Sequence, residues 1–174
     1  MACGENESFL TISNRMLKLE IPEKYVLPPL RSDWSELLSD WQSLIPQSSS
    51  VWLLTKFGEI FFCHQDGKIG MLQVSAFHYQ IVAKDKTDFQ EWLVDPDKMA
   101  EWFLAPLVDQ LEAVGKCLQQ EQCYSFIKPL GLGGTLAVEN VMIIPISEHF
   151  GLWGEVFRQI KDMPEGGEVV LKFK

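Results

Sequence analysis

Between Ser48 and Ala83 the chain carries four short apolar runs, at residues 51–56, 59–64, 68–74 and 76–83. Phe57-Gly58 and Gln65-Asp66-Gly67 separate the first three. Short runs with a period near two, punctuated by glycine turns, predict an antiparallel meander. In the fourth run strict alternation puts Phe77, Tyr79 and Ile81 on one face and His78 and Gln80 on the other. Ahead of the meander, Ser32-Asp33 precedes Trp34, Leu37, Leu38 and Trp41, an apolar face at helical spacing that continues to Pro46. Asp or Ser at that position accepts from free backbone N–H groups and starts a helix. Residues 1–31, with Pro22, Pro28 and Pro29, form an ordered arm whose pattern around Leu17 and Leu19 fits either a strand or a short helix.

After Ala83 the period lengthens. Residues 85–93 predict a short helix and residues 97–118 a longer one, which Pro106 must interrupt because it has no donor N–H. Beyond that break Leu107, Leu111, Val114 and Leu118 make a buried stripe, with Asp109 and Glu112 turned outward. Residues 119–135 read as a long structured loop with an extended piece at 123–126, and 138–144 as a strand. Ser147 caps a last helix whose apolar face is Phe150, Trp153, Phe157 and Ile160. Pro164 to Gly167 then turns the chain into a terminal strand, 168–173. The expected fold class is α+β: an antiparallel meander sheet packed against several helices, as a single domain over 32–174 behind the arm 1–31.

With 174 residues and 47% hydrophobic content, the chain can bury a continuous core without metals or cross-links. Its longest apolar runs fall far short of the ~20 residues that cross a bilayer, and the start lacks the basic and apolar stretches of a secretory signal. A cytoplasmic protein without membrane contact is expected. There Cys3, Cys63, Cys117 and Cys123, which form no CxxC pair, are expected to remain thiols.

The net charge of −9 is uneven. Residues 84–112 hold eight acids, Asp85, Asp88, Glu91, Asp95, Asp97, Glu101, Asp109 and Glu112, against Lys84, Lys86 and Lys98. A surface of that sign repels a phosphate backbone, which excludes direct nucleic-acid binding, and attracts a basic protein. These eight acids are the candidate partner-binding residues.

No residue pattern calls for catalysis, a cofactor or a metal. Pro129-Leu130-Gly131-Leu132-Gly133-Gly134 resembles a phosphate loop only in its glycines, because Thr135-Leu136 stands where Lys-Ser/Thr is required. Cys63 and His64 are neighbours on a strand and point to opposite faces. His149, in the first turn of the last helix, reads as a surface residue, and a hydrolase site built from His149 and Glu139 has no supporting spacing. Without a cationic groove, Trp52, Trp92, Trp102, Trp153, Tyr124 and Phe126 belong in the core rather than to a base-stacking platform.

The second half does carry a recognisable order of phrases. Gln122-Cys123-Tyr124-Ser125-Phe126 is followed by Pro129-Leu130, Leu132-Gly133-Gly134, Glu139-Asn140, Glu148-His149 and a closing Gln159-Ile160-Lys161-Asp162-Met163-Pro164-Glu165-Gly166. Over residues 97–174, and more weakly back to 32, this resembles the type VI secretion immunity protein C-terminal domain family. The resemblance implies an immunity protein that binds and neutralises a secreted bacterial toxin, a DNase effector. It does not transfer contact residues: Tyr124, Gly133, Gly134, Glu139 and Asn140 either build the fold or bind. The alternative is a small-molecule or nucleotide-binding regulatory domain without catalysis, using the glycine loop.

Overall fold

The computed structural model describes residues 9–14, 17–30, 33–164, 166 and 170–171. β1 (Phe9–Asn14) and β2 (Leu17–Pro22) pair antiparallel, with Phe9 opposite Pro22 and Asn14 opposite Leu17, so the ambiguous pattern around Leu17 resolves as a strand. A 3-10 turn at Glu23–Tyr25 follows, and the chain then lies along the start of the meander. Val26 bridges Thr55, Leu27 N donates to Leu54 O at 2.8 Å, and Lys56 N donates to Tyr25 O at 3.0 Å.

The helix expected to run to Pro46 is much shorter. Asp33 caps α1 (Trp34–Leu37) by accepting from Ser35 N, but Leu38 leaves the helical region and a 3-10 turn at Ser39–Trp41 takes over. The reason is tertiary. Trp41, fully buried, donates its indole N–H to Phe150 O at 3.3 Å and stacks on Phe157 and Phe77 at 5.3 and 6.2 Å. The tighter turn carries its ring beneath the last helix.

β3 (Ser49–Leu54), β4 (Ile60–His64), β5 (Ile69–Gln73) and β6 (His78–Ala83) form the expected antiparallel meander in that order. Gly58 and Gly67 sit at φ +75° and +89° in its first two turns, where a residue with a Cβ would be strained. The two central strands, β4 and β5, are mainly apolar because both of their faces are covered. Leu54, Ile60, Phe62 and Leu72 enter one buried cluster; Leu53, Phe61, Ile69 and Met71 enter another on the opposite face.

The expected facing of the fourth run is only partly kept. Phe77 lies before β6 at φ +55° and packs with Trp41 and Phe157, while Ile81 is half-exposed. A bulge between Ala83 and Ile81, opposite Ile69 and Gly70, changes the register there. His78 is exposed.

α2 (Lys86–Trp92) and α3 (Pro96–Phe103) cover the second cluster with Phe89, Trp102 and Phe103. Leu104 at φ +51° breaks the helix just before α4 (Ala105–Ala113), so the interruption expected at Pro106 is present, with Pro106 in the first turn of α4. Leu107 and Leu111 are buried as expected, with Phe57, Tyr124 and Phe126, but Val114 is 63% exposed. The stripe fails there because α4 stops at Ala113 and Gly115 turns away at φ +79°.

β7 (Gln122–Phe126) pairs antiparallel with β8 (Val141–Pro145), which begins after a 3-10 turn at Val138–Asn140 rather than at Val138 itself. α5 (Ile146–Ile160) follows with Pro145 at its cap, so Ser147 lies inside the first turn and caps nothing. The α+β class is thus as expected. Most of the expected terminal strand 168–173 lies outside the described residues. Cys63 and Cys123 are free, whereas Cys117 is disulfide-bonded, against the expectation of four thiols. Among the described residues no helix is long and apolar enough to cross a membrane.

Candidate partner-binding surface

The eight acids of residues 84–112 do not form one free patch, because helix starts and ion pairs hold most of them. Asp85 and Asp95 are the N-caps of α2 and α3, accepting from Asp88 N at 2.8 Å and Asp97 N at 2.9 Å. A carboxylate there satisfies an orphan donor and complements the positive end of the helix dipole. Asp88 accepts from Lys84 N at 2.9 Å and pairs with Lys84 Nζ. Glu101 pairs with Lys98 at 2.7 Å, one turn earlier on α3.

From α4, Asp109 meets Lys24 at 2.9 Å and accepts from the Tyr25 hydroxyl at 3.2 Å. Both the burial of Tyr25 and the Asp109 carboxylate raise the phenol's pKa, and the Asp109 hydrogen bond raises that of Lys24. Glu112 pairs with Lys56 at 2.5 Å, both mostly buried. Glu112 therefore faces the first turn of the meander rather than solvent. Only Glu91 and Asp97 are exposed with no bond or ion pair from their carboxylates among the described residues.

Around these acids the surface is partly apolar. Trp92 is 42% exposed, an exception to the expectation that the tryptophans are core, and Val94 is 85% exposed. Val94 lines a groove of about 340 Å³ between the α2–α3 connection and α4, walled also by Leu93, Pro96, Met99 and Pro106, with Tyr25 and Asp109 as its polar members.

The family-motif residues lie mainly in a structural loop. Asn140 accepts from Lys128 N at 2.9 Å through Oδ1, and its Nδ2 donates to Lys128 O at 2.9 Å and Thr135 O at 3.0 Å. Gly133 sits at φ +79°, and a Cβ on Gly134 would come within 1.9 Å of Lys128 O. The amides of Leu132, Gly133 and Gly134 donate to the carbonyls of Pro129, Leu130 and Pro129. Those three donors are committed within the loop, so none of them is presented to an anion. Tyr124, buried in β7, donates its hydroxyl to Lys116 O at 2.6 Å. Glu139 is exposed. Asn140→Ala should lower the unfolding free energy by about 2 kcal/mol, since three hydrogen bonds are lost and two are to loop carbonyls. Urea unfolding would measure it, with faster amide exchange at Lys128; a change below about 0.5 kcal/mol would deny Asn140 its role as clamp.

Two buried polar groups escaped sequence reasoning. His149, 1% exposed, is not the expected surface residue: its Nδ1 lies 3.0 Å from Ser125 Oγ, which also accepts from Trp153 Nε1 at 2.8 Å. The other ring nitrogen, Nε2, has no hydrogen-bond partner among the described residues and abuts Gly58, where a Cβ would stand 2.4 Å away. Burial pushes the His149 pKa down to about 3. Spacing could have found it, because residues 146, 149, 150, 153 and 157 fall on one helical stripe. Glu59, 3% exposed, accepts from Val74 N, from Ser75 N at 3.3 Å and from Ser75 Oγ at 2.5 Å. Burial still pushes its pKa up to about 7. It anchors the 3-10 turn Val74–Ala76, a role no local pattern announces.

Ser125 and His149 resemble a nucleophile and its base only by residue type, since both are sealed in the core. Glu139, on the surface, is not brought into that environment. Among the described residues no three His, Cys, Asp or Glu side chains stand where they could hold a metal ion.

No curated protein matches the chain. Among solved structures, the crystal structure of Atu4351 from Agrobacterium tumefaciens matches at 16% identity and a TM-score of 0.46, covering 70% of this chain and 62% of that one, so the chain spans less than two thirds of it. Residues 83–156, from the end of β6 through most of α5, match the family described as T6SS immunity protein Tdi1, C-terminal. This stretch, less than half of the chain, holds both the acidic segment and the phrases from Cys123 to His149, and it is what the chain shares with that type VI secretion immunity family.

Proposed function

We propose that this chain is a cytoplasmic immunity protein that binds a basic DNase effector of type VI secretion and silences it without catalysis. Residues 32–174 are the binding domain and 1–31 its arm. The family match over 83–156 carries this reading. The charge agrees with it, since nucleases hold DNA in basic grooves and an acidic surface speeds their capture. The nucleotide-binding alternative finds less support, because the glycine-loop amides of residues 132–134 are committed internally.

The test is co-expression with type VI DNase effectors. The cognate effector is the one whose toxicity and plasmid degradation this chain abolishes, with a stable complex on gel filtration. If no such nuclease is neutralised, the reading fails. With the cognate effector in hand, Glu91→Lys with Asp97→Lys should slow association roughly tenfold at low salt and flatten its salt dependence. These two are the acids to reverse, because Asp88 also caps the Lys84 amide and its loss would confound folding with binding. Stopped-flow association rates across a salt series would read the effect, and an unchanged rate would remove Glu91 and Asp97 from the encounter surface.

A further inference from the structure

The groove beside α3 and α4 combines features that select one kind of occupant. Its walls are aliphatic, from Leu93, Val94, Pro96, Met99 and Pro106, and its polar members are the Asp109 carboxylate and the Tyr25 hydroxyl. At about 340 Å³ it is near the lower end of small-ligand sites, which run from ~300 to 1,000 Å³. That suits one long side chain rather than a cofactor. Asp109 already accepts from the Lys24 ammonium at 2.9 Å and from the Tyr25 hydroxyl, which lies 3.2 and 3.3 Å from its two oxygens, but Lys24 and Asp109 are both about half exposed, so part of the carboxylate's capacity stays open. An ionised carboxylate has about four acceptor positions. Glu91, two residues before Leu93, and Asp97, next to Pro96, add unpaired negative charge to the segments that form the wall, while Lys98 is tied to Glu101 and lies over the Trp92 and Trp102 rings.

We propose that this groove receives one arginine side chain of the partner protein. Its methylene stem lies on Met99, Leu93 and Pro106, and its guanidinium donates to Asp109 beside the Tyr25 ring. Arginine fits better than lysine because its planar, weakly hydrated head can bond a carboxylate through two N–H groups and stack on an aromatic ring. The stem also covers apolar surface that Val94 and its neighbours otherwise leave to water. The chemistry follows from the groove alone; that the arginine belongs to a toxin rests on the function proposed above.

The first experiment uses the full chain and a probe independent of any toxin: the peptide acetyl-Gly-Arg-Gly-amide, with the neutral citrulline isostere as control. Binding is read from the Met99 methyl in a carbon–proton NMR titration. The arginine peptide should give a saturable Met99 shift and the citrulline peptide none. Asp109→Asn should weaken binding roughly tenfold, the loss of one charge-assisted pair, and Lys24→Ala should tighten it by freeing the carboxylate. Equal shifts from both peptides, no saturable shift, or an affinity unaffected by Asp109→Asn would each overturn the proposal. A second experiment separates the two readings by measuring neutralisation of the cognate DNase by Asp109→Asn and Val94→Asp. Undiminished binding of that nuclease by both variants overturns the groove as the docking site and leaves immunity standing. A saturable, Asp109-dependent peptide shift with no nuclease neutralised supports the groove and removes the toxin.

Discussion

Trp41→Ala should lower the unfolding free energy by about 3–5 kcal/mol, the range for truncating a large buried aromatic ring. The site leaves little room for relaxation. The Trp41 indole is fully buried, nearly parallel to Phe157 at 5.3 Å and to Phe77 at 6.2 Å. Phe77 is fixed by its left-handed backbone before β6, and Phe157 by α5, so neither can readily fall into the void. Removing the ring therefore uncouples the 3-10 turn Ser39–Trp41, the start of β6 and α5 from one another. Trp41→Phe should recover a substantial part of the loss by keeping the stack while dropping the 3.3 Å bond to Phe150 O. Urea unfolding followed by circular dichroism measures both variants. A loss below about 1 kcal/mol for the alanine variant would show that the stack is not what joins these elements. For a domain whose whole stability is about 5–15 kcal/mol, the expected loss is a large share.

The meander was legible because its signals are local: apolar runs of strand length and glycines at the positions where the backbone turns through positive φ. The same is true of α2 and of the break between α3 and α4, where capping aspartates and Pro106 act within a few residues. What stayed hidden depends on distant partners. Whether the helix begun by Asp33 continues past Leu37 is decided by where Trp41 must go, and its partners Phe150 and Phe157 lie more than a hundred residues away in sequence. Phe77 follows a turn that Glu59 holds by taking the amides of Val74 and Ser75, 15 and 16 residues further along the chain.

The acidic surface divides in the same way. Its charge was countable, and Asp85 and Asp95 could have been recognised as helix caps by the reasoning applied to Asp33. The pairing of Glu112 with Lys56 and of Asp109 with Tyr25 spans 56 and 84 residues, which no local pattern reveals. The groove was invisible for a related reason: it is made by the α2–α3 connection, α4 and the distant Tyr25. His149 is a different failure. Its helical position is apolar, and only residue type argued for the surface.

Glu59 and His149 should give the protein a pH profile in which two slopes offset each other. Burial holds the Glu59 pKa at about 7, above its ordinary 4.5, so its contribution to stability is full below pH 4.5 and declines as pH rises to about 7. His149, held at about 3 against an ordinary 6.5, does the reverse: its contribution is full above pH 6.5 and is lost as pH falls towards 3. Each slope is about 1.4 kcal/mol per pH unit. Between pH 4.5 and 6.5 they oppose, and the parent protein's stability should be nearly flat. The exposed carboxyls of Asp33 and Asp66 are shifted below the usual carboxylate value, so they act under this window, and the raised Lys24, Tyr79 and Tyr124 act above it. Glu59→Gln keeps an acceptor for the Val74–Ser75 amides while removing one slope. That variant should gain about 2–3 kcal/mol from pH 4.5 to 6.5. His149→Gln should lose a similar amount over the same interval, and the double variant should be flat again at a lower overall stability. Urea unfolding at half-unit pH steps distinguishes these outcomes. If both single variants remain as flat as the parent, neither group titrates from a buried state, and the plateau needs another cause.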